Sequence, residues 1–112
     1  MIYRLTLQAD WQRAQPDGMF ASEDLANEGF IHCSERHQIL RTANKYFAQA
    51  TSLLVLEIDE AALGNKLRRE DLAGSGIFPH VYGEIPIIAV AAVHLLEHNE
   101  ATGWQLPPSL AG

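Results

Sequence analysis

The chain is 112 residues long, 47% hydrophobic and 20% charged, with 14 acidic against 8 basic residues for a formal charge of −6. That length supports one domain, residues 1–112, with a core of its own and no second unit. The acidic balance, lacking any clustered excess of Lys and Arg, excludes a nucleic-acid duplex as partner, but one or two placed arginines can still hold a small anionic ligand.

Met1 to Leu5 has neither the basic start nor the small-residue cleavage site of a signal peptide, and no apolar run reaches the ~20 residues of a membrane span. The chain therefore reads as cytoplasmic and without membrane contact. Residues 2–7 alternate in apolar character and predict a first strand, with Arg4 on the face opposite Tyr3 and Leu5. Asp10 caps a short helix over 11–15, which Pro16, Asp17 and Gly18 end, and Trp11 reads as a core anchor. Ser22 caps a second short helix over 22–27, with Gly29 where a left-handed C-cap is wanted. Phe30, Ile31 and Cys33 form a brief buried strand, and Ser34 then caps the longest helix, 35–49, whose apolar stripe is Ile39, Leu40, Ala43, Tyr46, Phe47 and Ala50.

The nearly continuous apolar run over 53–58 predicts a central strand covered on both faces. Asp59 caps one helical turn, and Gly64 and Asn65 turn the chain into a charged, exposed strand over 66–70, followed by a mobile loop at 71–76. Pro79 and Pro86 cannot donate to a ladder, so 78–86 reads as a shaped loop rather than a central strand. Residues 90–97 predict a last strand, and the tail at 103–108 packs Trp104 on the body before fraying. The whole reads as an α+β domain with a small split, mainly antiparallel sheet and helices.

Reactive groups concentrate in two hexapeptides, Gly29-Phe30-Ile31-His32-Cys33-Ser34 and Phe78-Pro79-His80-Val81-Tyr82-Gly83. A metal site is disfavoured, because His32 and Cys33 are adjacent on a strand and point to opposite faces, and Cys33 is the single cysteine. That cysteine alternates to the apolar side with Ile31 and reads as inert packing; its solitude also excludes an internal disulfide and fits a reducing compartment. His32 precedes a helix start, where backbone N–H groups and the helix dipole can hold an anion or a polarised carbonyl. His80 and Tyr82, two apart, share a face if the segment is extended. His94 and His98 read as ordinary surface or edge residues. Glu70 and Glu84 are the carboxylates nearest these elements. The candidate catalytic residues are therefore His32, His80 and Glu70; Arg4, Phe30, Ser34, Phe78, Tyr82 and Gly83 complete a candidate binding site for a small molecule or nucleotide.

The two hexapeptides, with WQRAQ at 11–15 and a Leu-rich strand between them, closely resemble the small bacterial proteins of the "domain of unknown function 952" family over nearly the whole chain. That resemblance implies a fold similar to the ADP-ribosyltransferases, a split antiparallel sheet holding NAD in a cleft. His32-Cys33-Ser34 looks like a variant of the His-Gly-Ser or His-Gly-Thr of those enzymes, which implies His32 on a ribose hydroxyl and Ser34 on a carboxamide or phosphate. Tyr82 resembles the tyrosine that stacks on nicotinamide, and Arg4 the phosphate-binding arginines of RNA phosphotransferase relatives. Cys33 departs from the glycine of the motif, and either Glu70 or Glu84 is the counterpart of the catalytic glutamate. Three readings stay open: ADP-ribosyl chemistry on NAD or a related nucleotide; a non-catalytic module for a nucleotide, metabolite or protein; and transfer or hydrolysis on a phosphorylated small molecule. They separate on whether a carboxylate lies within reach of His32.

Overall fold

The structure, a computed structural model, describes residues 1–111. In chain order its elements are β1 (Ile2–Thr6), α1 (Gln8–Ala14), β2 (Met19–Phe20), α2 (Glu23–Glu28), β3 (Ile31–His32), α3 (Ile39–Tyr46), β4 (Ser52–Ile58), β5 (Leu67–Glu70), β6 (Phe78–Val81), β7 (Ile85–Pro86), β8 (Val90–Asn99), β9 (Gly103–Gln105) and α4 (Pro108–Ala111). The strands form three antiparallel sheets: β1-β4-β8-β9, the two-stranded β2-β7, and β3-β6-β5. This is an α+β protein with antiparallel sheets and a few short helices.

The apolar run of β4 lies inside the four-stranded sheet, between β1 and β8, where neither face needs a polar side. One side of that sheet carries Tyr3, Leu5, Leu53, Val55, Leu96 and Trp104, packed on Ile39 and Ala43 of α3 and on Leu110 of α4. Ile2, Leu56 and Ile58 join a second cluster with Phe20, Ile31, Cys33, Val81 and Ile85, which bonds the small sheets to the large one. Fully burying one such Leu, Ile or Phe side chain contributes roughly 1.5–3 kcal/mol. A single bridge between Tyr3 and Ser34, with Ser34 N donating to Tyr3 O at 2.7 Å and Tyr3 N to Ser34 O at 2.9 Å, ties β1 to the chain leaving β3.

Several local expectations change. Helix α1 starts earlier than Trp11, and Asp10 lies inside its first turn, paired with Arg13, instead of capping it. Ser22 occupies the N-cap of α2 but donates its hydroxyl to Asp24, while Gly29 closes the helix in the left-handed conformation (φ 87°), as expected. Ser34 is not the cap of the long helix. Glu35 takes that place in a capping box with Gln38, and the predicted helix divides into a 3-10 turn (Arg36–Gln38) and the shorter α3.

The largest correction concerns residues 78–81. They form β6, the middle strand of its sheet, although Pro79 lies within it. Pro79 stands opposite Cys33, whose N–H donates to the Pro79 carbonyl at 3.0 Å, beyond the two paired residues of β3. Its missing N–H thus removes only the last rung of a short ladder. The tail also stays ordered: Trp104 is buried in β9, and α4 follows with Leu110 fully buried. No helix among the described residues is long and apolar enough to cross a membrane.

Candidate functional site

The pairing of β3 with β6 sets His32 directly opposite His80, so the two hexapeptides converge. Their rings meet edge to face with centroids 5.2 Å apart. Phe30 lies at the centre, with its ring 4.8 Å from His32, 4.4 Å from His80 and 5.2 Å from Tyr82. On the other side of β6, β5 places Glu70 opposite Phe78, and the Glu70 carboxylate turns back toward the histidines. His80 Nδ1 donates to Glu70 Oε1 at 3.0 Å, and the Tyr82 hydroxyl donates to the same oxygen. Both donors take Oε1, and among the described residues no hydrogen bond reaches Oε2. Tyr82 is covered from beyond by Arg68, whose guanidinium carbon lies 5.0 Å from the ring centre.

Phe30, His32, His80 and Glu70 border a cavity of about 360 Å³ between the two larger sheets and α3. Arg4, Phe30, His32, Ser34, Glu70, Phe78 and His80 all line it. Three predicted residues do not. Tyr82 stands behind Phe30 and Glu70, bonded to the Glu70 carboxylate, and is not part of the lining. Gly83 takes φ 151°, and a Cβ there would come within 3.2 Å of Lys66 Cδ, so it shapes the turn after Tyr82. Glu84 is exposed, and only its carbonyl is engaged, by Lys66 Nζ at 3.5 Å. Of the two candidate carboxylates, Glu70 is the one at the cavity.

Arg4 has a closer function than ligand capture. Its Nη1 donates to Asp24 Oδ2 at 2.7 Å and to the His32 carbonyl at 2.9 Å, while Asp24 Oδ2 accepts the His32 N–H at 2.8 Å. The pair therefore holds the backbone of His32. Burial pushes the Asp24 pKa up, but the charge of Arg4 and the hydrogen bonds from Ser22, His32 and Arg4 outweigh it and keep the carboxyl below its ordinary value. The junction from β3 toward α3 does not offer the anion-binding N–H groups its sequence suggested. His32 N is taken by Asp24, Cys33 N by Pro79, Ser34 N by Tyr3, and Glu35 N by Gln38 Oε1 at 2.9 Å.

The hydrogen bonds from Tyr82 and His80 lower the pKa of Glu70, and the same bond raises that of Tyr82. Glu70 is thus held as a carboxylate at neutral pH. Burial pushes the Cys33 thiol up to about 12, which makes it packing and not a nucleophile. Among the described residues no group of three His, Cys, Asp or Glu side chains is arranged to hold a metal ion.

Five residues that matter here were not anticipated. Asp24 holds His32 as described, and Glu28 accepts from His32 Nε2 at 2.9 Å, with no hydrogen bond to Nδ1 among the described residues. Glu28 is four residues before His32, but Gly29 ends the helix between them, so helical spacing gave no signal. Thr42, Arg41 and Lys45 bring α3 to the cavity, with Thr42 Oγ1 bonded to Ser34 Oγ at 2.9 Å. Their signal was present: two cations one helical turn apart on a segment without nearby acids. His94 also departs from the expected surface residue. It is largely buried, with Nε2 donating to Glu57 Oε1 at 3.1 Å and Nδ1 2.8 Å from Ser109 Oγ.

A cavity between antiparallel sheets, walled by two opposed histidine segments, defines this chain as a small α+β protein built around its two hexapeptides. Residues 5–93 match the family described as "Protein of unknown function (DUF952)", and the chain belongs to that family. The crystal structure of protein CC0527 from Caulobacter crescentus is similar, with 33% sequence identity, a TM-score of 0.85, and coverage of 98% of this chain and 97% of that one. The solution NMR structure of the same Caulobacter crescentus protein gives 32% identity, a TM-score of 0.83, and coverage of 98% and 96%. No curated protein matches this chain.

Proposed function

We propose that the cavity binds a nucleotide and acts at its ribose, as an ADP-ribosyltransferase-like enzyme using NAD or a related nucleotide. The observation that carries this reading is Glu70: an ionised carboxylate at the cavity, bonded to His80, whose ring meets that of His32 edge to face. Breaking a glycosidic bond develops positive charge on the sugar, and a fixed carboxylate beside it stabilises that state. The C1′–N bond breaks with its electron pair leaving on the base nitrogen. Water or an acceptor hydroxyl supplies the oxygen that bonds C1′, and its proton passes to solvent. Phe30 offers a flat apolar surface for the base or sugar, and His32 Nδ1 is left for a ribose hydroxyl. Two antiparallel sheets either side of the cavity support the likeness to the split-sheet architecture of those enzymes.

A non-catalytic nucleotide-binding module is the second reading, favoured by the engagement of Glu70 Oε1 with two protein donors. Titrating labelled protein with NAD and ADP-ribose, while assaying nicotinamide release from NAD, separates the two. The expected result is amide shifts confined to residues 30–35 and 78–84, with release that falls about 100-fold or more in Glu70→Gln. Shifts without release, unaffected by that change, select the binding module. Silence of both segments at millimolar ligand removes the nucleotide reading.

A further inference from the structure

Arg41 and Lys45 stand one turn apart on α3, and both line the cavity. Like charges at that spacing repel, and α3 contains no acidic residue to offset them. The two carboxylates on the cavity wall, Glu28 and Glu70, are each bonded to a histidine, and Arg4 is paired with Asp24. Among the described residues neither Arg41 nor Lys45 has a carboxylate partner. Arg41 Nη2 donates to the Ser75 carbonyl at 2.7 Å and its guanidinium lies 5.6 Å from the Phe78 ring centre, while Lys45 Nζ lies 5.1 Å from the ring centre of Tyr46. A chain of net charge −6 thus presents two unneutralised cations on one wall of its cavity.

On the basis of the nucleotide reading above, we propose that this wall is a phosphate subsite, and that the ligand is a nucleoside monophosphate whose phosphomonoester lies on Arg41 and Lys45. Arg41 keeps guanidinium N–H donors beyond the one given to Ser75, and Lys45 adds a mobile point charge, a pairing suited to a group carrying about −1.5 to −2 charges at pH 7. The Ser34–Thr42 hydroxyl pair lies on the cavity wall with them. No rival anion site exists at the β3 exit, where each N–H from His32 to Glu35 is occupied. A volume of about 360 Å³ lies within the roughly 300–1,000 Å³ found for small-molecule sites and is enough for a nucleoside monophosphate.

Calorimetric titration of the wild type and Lys45→Gln with AMP, adenosine, ribose 5-phosphate and inorganic phosphate tests this, with Arg13→Gln, an exposed cation outside the cavity, as a control for net charge. AMP should bind about tenfold or more tightly than adenosine, with an advantage that shrinks as salt rises. Lys45→Gln should remove most of that advantage and leave adenosine binding and the melting temperature unchanged. AMP binding no tighter than adenosine, or a Lys45→Gln effect equal on both, overturns the subsite. Binding of ribose 5-phosphate or phosphate that is lost in Lys45→Gln, with AMP and adenosine both silent, retains the phosphate subsite and removes the nucleotide reading. Silence of every phosphate probe at millimolar concentration overturns the subsite, and adenosine binding in that case leaves the nucleoside half of the reading standing.

Discussion

Asp24 serves four donors at once: the Arg4 guanidinium, the Ser22 hydroxyl, the Leu25 N–H and the His32 N–H. One carboxylate therefore orders the strand that carries the first histidine. Its pKa lies below the ordinary 3.8, because Arg4 and the hydrogen bonds from Ser22 and His32 outweigh the effect of burial. A depressed carboxyl contributes stability that is present above its unfolded value and lost as pH falls through its folded one. Asp24→Asn leaves Arg4 without its anion and should cost roughly 1.5–3 kcal/mol at neutral pH. The same substitution should flatten the decline in stability below pH 3.8, since Asn has no proton to gain. Thermal melts across that range check both effects. An Asn variant that follows the wild-type acid curve would show that another carboxyl governs it.

At the scale of elements, the short C-terminal helix α4 seals one face of the large sheet. Leu110 is fully buried against Trp104 and α3, and Ser109 bonds the largely buried His94. Leu110→Ala should lower stability by about 2–4 kcal/mol, read as a fall in denaturation midpoint without a change in slope. Unchanged stability would mean that α4 only rests on the sheet. The sequence showed β1, β4, β5 and β8, because alternation or an unbroken apolar run marks a strand wherever its partners lie. It concealed β6, since Pro79 argues against a central strand unless the neighbouring ladder is known to end at His32. It concealed the fate of the tail for a similar reason: Trp104 is an evident anchor, but Leu110 has value only against a groove that distant residues create. Ser34 looked like a cap by type and position, yet its backbone pairs with Tyr3, thirty-one residues earlier, and the cap passes to Glu35.

Across the whole molecule, two apolar clusters on opposite sides of the large sheet hold the site where the smaller sheet meets it. The histidine segments and Glu70 were legible as chemistry because dense polar groups framed by glycine and aromatics stand out locally. Their convergence was not, since the register His32 opposite His80 depends on strand pairing over forty-eight residues. Asp24 and Glu28 were missed because an acid in a short helix looks the same whether it faces water or clasps a neighbour. Strand β3 itself has only two paired residues, and the amide of the second is secured by a side-chain carboxylate from α2. Residues 22–33 therefore have the makings of a unit that detaches separately from the four-stranded sheet. Native-state hydrogen exchange should find the His32 amide opening at a free energy below that of Val55 in β4, and opening more readily as Asp24 takes up a proton. Equal protection at His32 and Val55 would mean that the entire domain opens only as one body. The wall bearing the first histidine would then be as rigid as the sheet behind it, and ligand entry would have to rely on the loop at 71–76 alone.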